Sequence, residues 1–96
     1  VSYKPGKFAG TEFNLGTLFS DIDHKTAIKH FEKAIAIKPE FAEAYYSLGL
    51  VFKDLGLESK AIESYKKAIV LNSNYSMAYL GLAEIAIFEK KFDQSY

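Results

Sequence analysis

The sequence predicts an all-α protein, a solenoid of helix–turn–helix repeats, and two observations support this fold class. The stretch KHFEKAIAIKPEFAEAYYSLG over residues 29–49 returns 34 residues later as ESYKKAIVLNSNYSMAYLGLA over 63–83, with several positions identical. Each period also holds two segments in which apolar residues recur at i, i+3 and i+4, the spacing of an amphipathic helix. A fixed period of this length with helical spacing indicates stacked helical repeats.

The helices are predicted in chain order from their apolar spacing and from the repeat. The first and second are predicted because their residues match later ones at the same offset, as Ala27 matches Ala61. The third and fourth show amphipathic spacing directly, and the fifth repeats the third, since Tyr79 follows Tyr45 by 34 residues. The predicted helices are about 11–21, 25–37, 40–54, 59–71 and 75–89, with the stub of a sixth from 93 onward.

Three residues are predicted to set the ends of these helices. Asp23 precedes the second helix, and an aspartate in this place accepts a hydrogen bond from the first backbone N–H groups. Pro39 lacks a backbone N–H and disfavours a helical Lys38, so the second helix should end there. Gly56 can take the left-handed conformation that closes the third helix.

The charge balance argues against two classes of partner. All 12 basic residues are lysine, and 12 acidic residues interspersed among them bring the net charge to zero. No field therefore draws the chain to nucleic acid or to an anionic membrane. Arginine, whose planar fork reads guanine and clamps phosphate, is absent. We expect neither a nucleic-acid partner nor a membrane partner.

The cysteine count and the apolar runs bear on the cellular setting. The chain has no cysteine, so neither a disulfide nor a thiolate metal site can hold the fold. No apolar run approaches the roughly 18–20 residues of a spanning helix, and the start VSYKPGKFAG lacks the pattern of a signal peptide. A cytoplasmic location is the default expectation. Because the chain starts at Val1 and stops at Tyr96 inside an apparent motif, we expect a piece of a longer repeat array.

The residues that catalysis or metal binding needs are few. His24, with Asp21 and Asp23, is the one cluster resembling a metal or acid–base site, but no third partner stands at a defined distance. A polar turn is the preferred interpretation, and His30 is expected on the surface. The lysines at 25, 29 and 33 share one helical face and are expected to be solvated. We predict no enzyme, no cofactor and no metal.

The small and aromatic residues of both repeats resemble the tetratricopeptide repeat (TPR), which carries an aromatic, Leu-Gly, aromatic, Ala, aromatic, Ala and Pro in that order. In the central repeat these are Tyr45, Leu48, Gly49, Phe52, Ala61, Tyr65 and Ala68, with Ser73 in place of Pro. In the first they are Leu15, Gly16, Phe19, Ala27, Phe31, Ala34 and Pro39, with a turn one residue shorter than in the central repeat. The third repeat offers Tyr79, Leu82, Ala83, Ala86 and Phe92.

The resemblance implies a right-handed α-solenoid of about two and a half to three repeats. Its small residues, such as Gly49, should lie where paired helices approach closely, because a larger side chain there overpacks the contact. The expected divisions are a tail of a preceding repeat or linker over 1–10, then repeats over 11–39, 40–74 and 75–96, the last truncated.

In proteins similar to this one, the first helices of successive repeats line a concave groove that receives a peptide or a helix. Tyr46 and Leu50, one helical turn apart, are the main candidates for contact with such a partner. The alternative is that these two residues pack against the adjacent helix. The predicted groove residues are Phe13, Asn14, Thr17, Tyr46, Ser47, Leu50, Lys53, Met77, Leu80, Gly81 and Glu84.

A subset of the family grips acidic chaperone tails with a two-carboxylate clamp of Lys, Asn and Arg side chains. The matching places here hold Phe13, Thr17, Ser47, Met77 and Gly81, so a chaperone co-factor role is disfavoured.

The predicted function is a protein-binding module with a peptide or helix as partner. The alternative is a structural spacer or a self-association segment, in which the apolar residues of the C-terminal helix seek helices of a continuation or of a second copy. Those residues are Ile85, Ile87, Phe88 and Phe92.

Overall fold

A computed structural model describes residues 8–93, with side chains through residue 88. The described part is all-α, as predicted, and forms a helical repeat solenoid. Each helix packs against the next along the chain, and the third also contacts the fifth. The helices are α1 (Ala9–Phe19), α2 (His24–Ile37), α3 (Ala42–Asp54), α4 (Glu58–Leu71) and α5 (Ser76–Asp93).

The ends of α1 and α5 differ from those predicted. A tight turn closes α1 two residues early, with the Asp23 N–H donating to the Phe19 carbonyl at 2.8 Å. The fifth helix continues to Asp93, because the sequence from 89 to 93 contains neither glycine nor proline to end it. The break predicted between 89 and 93 is therefore wrong, and a sixth helix after 93 falls outside the described residues.

The predicted helix signals at Asp23 and Gly56 are confirmed. The Thr26 N–H donates to Asp23 Oδ1 at 3.3 Å, and the Thr26 hydroxyl donates to Asp23 Oδ2 at 2.7 Å. The bond from the Thr26 hydroxyl contributes most to lowering the pKa of Asp23, and the bond from the Thr26 N–H lowers it further. Gly56 has φ +79°, a left-handed conformation. Beyond it, the Leu57 N–H donates to the Phe52 carbonyl at 2.8 Å, so the chain turns back into α4.

The core is built on aromatic rings laid against glycines. Tyr65 of α4 is fully buried between α3 and α5. An ideal Cβ on Gly49 would lie 2.4 Å from its ring, and one on Gly81 would lie 2.7 Å from it. Phe31 of α2 occupies the corresponding slot against Gly16, where the distance is 2.5 Å. Glycine is required at these places because any side chain would collide with a ring that is itself enclosed.

A buried contact between Glu12 of α1 and His30 of α2 corrects one prediction. His30 was expected on the surface, but its Nδ1 lies 2.8 Å from Oε1 of Glu12, a residue only 4% exposed. The imidazole also stacks on Phe19 with the ring centroids 5.9 Å apart. A buried carboxylate needs such a partner, and periodicity within α2 alone does not reveal a partner on α1.

Candidate functional site

We call the surface that α1, α3 and α5 contribute to the solenoid the inner face; of these helices, α3 contacts α5. A pocket lies between α1 and α3 and is lined by residues of both helices. An ion pair joins α3 to α5, with Lys53 Nζ 3.2 Å from Glu84 Oε1. The ring of Tyr46 also lies 5.3 Å from that of Tyr75, just before α5. The predicted groove residues all belong to these three helices.

The α1–α3 pocket has a volume of about 190 Å³ and brings three predicted groove residues together. Thr17 of α1 faces Ser47 and Leu50 of α3 across it. The C-terminal ends of both helices border the pocket, and the partial negative charge of helix C-termini adds to that of its two aspartates. The lining residues are Thr17, Ser20, Asp21, Phe31, Ser47, Leu50, Val51 and Asp54.

A larger pocket of about 630 Å³ lies between the end of α3 and α5. It contains Lys53 and Glu84, both predicted for the groove. Glu58 and Ile85 also line this pocket. They were not predicted for it, because only the folded turn at Gly56 brings the start of α4 beside α5. Ile85 is 2% exposed in the core, so its predicted role in seeking an outside helix is wrong.

Several predicted groove residues also pack inside the chain, as the alternative interpretation had it. The Tyr46 ring lies 5.7 Å from the Tyr65 ring, and both Tyr46 and Leu50 pack on the cluster around Tyr65. Phe13 lies 5.7 Å from Phe31, and Gly81 is buried. Of these, Tyr46, Leu50 and Phe13 are half-buried and keep a partly exposed edge.

The remaining predicted residues are accessible. Met77 and Leu80 of α5 are each 51% exposed, a high value for large apolar side chains. Ser47 and Lys53 are half-buried, and Asn14, Thr17 and Glu84 are exposed. The inner face thus combines exposed apolar groups with polar and charged ones.

Sequence reasoning missed the Tyr65 hydroxyl. This oxygen is buried and has no hydrogen-bond partner among the described residues. Burial raises the pKa of Tyr65 to about 12, and the charges of Tyr46, Glu84 and Asp54 add to the rise. The matching position of the first repeat is Phe31, which has no hydroxyl, so the phenylalanine-to-tyrosine difference was the available signal.

The His24 cluster does not assemble in the way a metal site requires. The His24 Nε2 atom lies 4.0 Å from Asp54 Oδ2 of α3, while Asp23 is engaged by Thr26. Among the described residues, no three His, Cys, Asp or Glu side chains are grouped to hold a metal. Within the same range, no helix has both the length and the apolar character needed to cross a membrane.

Comparison with known proteins identifies the repeat. The model of the family described as "TPR repeat" matches residues 23–56, and that described as "Tetratricopeptide repeat" matches 42–75. Protein CTR9 homolog of Arabidopsis thaliana is 31% identical over 84 residues, which are 86% of this chain and 8% of that protein. A TPR repeat-containing protein of Methanocaldococcus jannaschii is 42% identical over 62 residues, which are 64% of this chain and 11% of that protein.

Solved structures share the fold. A crystal structure of MamA superposes with a TM-score of 0.77 and 36% identity, over 79% of this chain and 45% of that one. A second MamA structure gives a TM-score of 0.72 and 32% identity, over 93% and 53%. The chain thus spans about half of these structures and about a tenth of the curated relatives. The repeat models and the shared fold show that the chain belongs to the tetratricopeptide repeat family and is a protein-interaction repeat module.

Proposed function

We propose that the inner face binds a peptide segment or a helix of a partner protein. The observation that carries this proposal is the continuity of the surface: the α1–α3 pocket, the Lys53–Glu84 bridge and the exposed Met77 and Leu80 follow one another across three helices. A partner segment that crosses the helices meets apolar anchors and polar groups in succession, as peptide recognition requires.

The charges of this face favour a partner segment that is not acidic. Asp21 and Asp54 line the α1–α3 pocket, and Glu84 lies on α5 beside Lys53, which it neutralises. An acidic peptide would meet like charges here. An apolar side chain, or a basic one with an aliphatic stem, can instead pack on the apolar residues that line the pocket. The missing two-carboxylate clamp agrees with this preference.

Panning a peptide display library tests the proposal. The targets are the wild type, a Thr17→Glu, Leu80→Glu double variant on the inner face, and an Ala36→Glu, Val70→Glu double variant as the control. All four positions are exposed, so each double variant should fold and carry two added negative charges. Ala36 and Val70 lie on α2 and α4, 34 residues apart at equivalent repeat positions.

We expect peptides enriched on the wild type and on the control but lost on the inner-face variant. Their sequences should contain aromatic, aliphatic and basic residues in preference to acidic ones. Circular dichroism is used first to check that all three proteins are helical. Peptides that bind both variants equally well would place the binding surface elsewhere and refute the proposal.

Self-association is the second candidate, and the exposed apolar side chains of α5 favour it. Tyr79 is 49% exposed, Ile87 is 67% exposed and Phe88 is 52% exposed on this helix. A second copy that covers these side chains would remove apolar surface from water. Light scattering over a hundredfold concentration range tests this candidate: a rise in mass that Ile87→Glu abolishes supports it, and a constant monomer mass refutes it.

A further inference from the structure

The hydroxyl of Tyr65 is a feature of the core that ring packing does not explain. The oxygen is buried without a hydrogen-bond partner in the part of the chain that the structure describes. Buried polar groups almost always have a partner, and leaving one unsatisfied destabilises a fold. Phe31 fills the corresponding slot of the first repeat against Gly16. The packing of the ring therefore does not need the hydroxyl.

The hydroxyl end of Tyr65 is directed to the inner face. The atoms nearest to an ideal Cβ on Gly81 are Cζ, at 2.7 Å, and the two Cε atoms beside it, so this end of the ring lies against α5. The ring of Tyr46 lies 5.7 Å away on the α3 side. The groups whose charges act on the Tyr65 phenol, Tyr46, Glu84 and Asp54, all belong to the inner-face helices.

We propose that the Tyr65 hydroxyl donates a hydrogen bond to a main-chain carbonyl of an extended peptide bound between α3 and α5. The inference rests on the proposed function and deepens it, because it selects an extended segment over a helix. The carbonyls of a bound helix are already occupied by its own N–H groups, whereas those of an extended segment are free. Asp54 and Glu84 disfavour an anionic acceptor at this place.

The peptide must displace a neighbouring side chain to reach the buried oxygen. Tyr46 is half-buried and lies at the edge of the slot. In the bound state proposed here, this ring turns towards solvent and admits the segment to the oxygen. Rotamer changes of this kind are common at interfaces whose backbone stays fixed. Tyr46 then lies against the bound segment, which gives it a role as a contact residue.

The variant Tyr65→Phe tests the inference, because it removes one oxygen and keeps the ring. The matched control is Tyr45→Phe, which removes the same atom from a half-buried tyrosine of α3 that lines a pocket on the opposite side, towards α2 and α4. Peptides selected on the wild type are titrated against the three proteins by fluorescence anisotropy. A second peptide series replaces single backbone amides by esters, whose carbonyls accept hydrogen bonds weakly.

We expect Tyr65→Phe to raise Kd about threefold to tenfold, as loss of one neutral hydrogen bond does, while Tyr45→Phe leaves it unchanged. One ester position should weaken binding to the wild type but not to Tyr65→Phe. The melting temperature of free Tyr65→Phe should equal or exceed that of the wild type.

Two results overturn the inference and leave the proposed function intact. One is peptide binding at equal Kd to the wild type and Tyr65→Phe. The other is a Tyr65→Phe chain that melts well below the wild type, since the hydroxyl would then have a partner inside the fold. If no peptide binds the wild type at all, the proposed function fails and the inference falls with it.

Discussion

A single methyl group added at Gly49 tests the packing that defines the repeat. In Gly49→Ala the new Cβ would lie 2.4 Å from Cε1 and 2.5 Å from Cδ1 of Tyr65, where ordinary contact is 3.4–4 Å. The ring cannot retreat, because it is fully buried and also packs closely on Gly81 of α5, where even an added Cβ would lie 2.7 Å from Cζ. The control is Gly10→Ala in α1, where an added Cβ meets nothing within 4 Å.

The two variants should change stability in opposite directions. Alanine stabilises a helix over glycine by about 0.5–1 kcal/mol, so Gly10→Ala should raise the free energy of unfolding by up to that amount. At Gly49 the same gain is opposed by overpacking of about 1–3 kcal/mol. We expect a net loss of up to about 2.5 kcal/mol, and each kcal/mol lost should lower the melting temperature by about 4–8 °C.

Urea unfolding followed by circular dichroism measures both free energies. Gly16→Ala makes the same test in the first structural repeat, where the added Cβ would lie 2.5 Å from the Phe31 ring. A Gly49→Ala protein as stable as Gly10→Ala would show that the Tyr65 ring does not pack closely on α3 at Gly49.

Three further predictions concern charge and protonation. Glu12→Ala should lower the free energy of unfolding by about 1–3 kcal/mol, because it leaves the half-buried His30 without its acceptor; urea unfolding measures this loss, and an unchanged midpoint would contradict it. Asp23→Ala should lower the melting temperature at pH 7 and weaken its fall in acid. The hydrogen bonds from Thr26 lower the pKa of Asp23, so its stabilisation is present above the ordinary aspartate pKa and is lost as the pH falls through the lowered one; parallel acid profiles of both proteins would contradict this. Tyr65 behaves in the opposite sense, since its pKa is raised from 10.0 to about 12. The unfolded chain loses this proton more easily than the folded one, so stability falls as the pH rises from 10.0 towards 12, and Tyr65→Phe should reduce this alkaline loss in a melting series.

Much of the fold could be predicted because its signals are local or periodic. The cap at Asp23 and the left-handed turn at Gly56 depend on single residues whose chemistry allows few other conformations. The small residue at Gly49 is required by close helix contact, which the 34-residue repeat makes visible. In a sequence with such a period, the spacing of a few side chains is enough to predict the architecture.

Other features depend on contacts that periodicity does not report. His30 lies on the polar part of the α2 pattern, yet Glu12 approaches it from another helix. Tyr46 was predicted for the groove because its position faces that side, but the Tyr65 and Tyr75 rings cover part of it. Helix α5 ends later than predicted, because the sequence contains no stop signal there. The prediction had followed the repeat pattern instead.

NMR mapping of a selected peptide onto the chain tests whether the inner face is the binding surface. Backbone amide shifts of the labelled protein are followed during titration with a peptide obtained on the wild type. We expect the largest shift changes on the inner face, at Thr17, Ser47 and Gly81, and small changes at Ala36 and Val70. The largest changes on α2 and α4, with those three amides unmoved, would contradict this expectation.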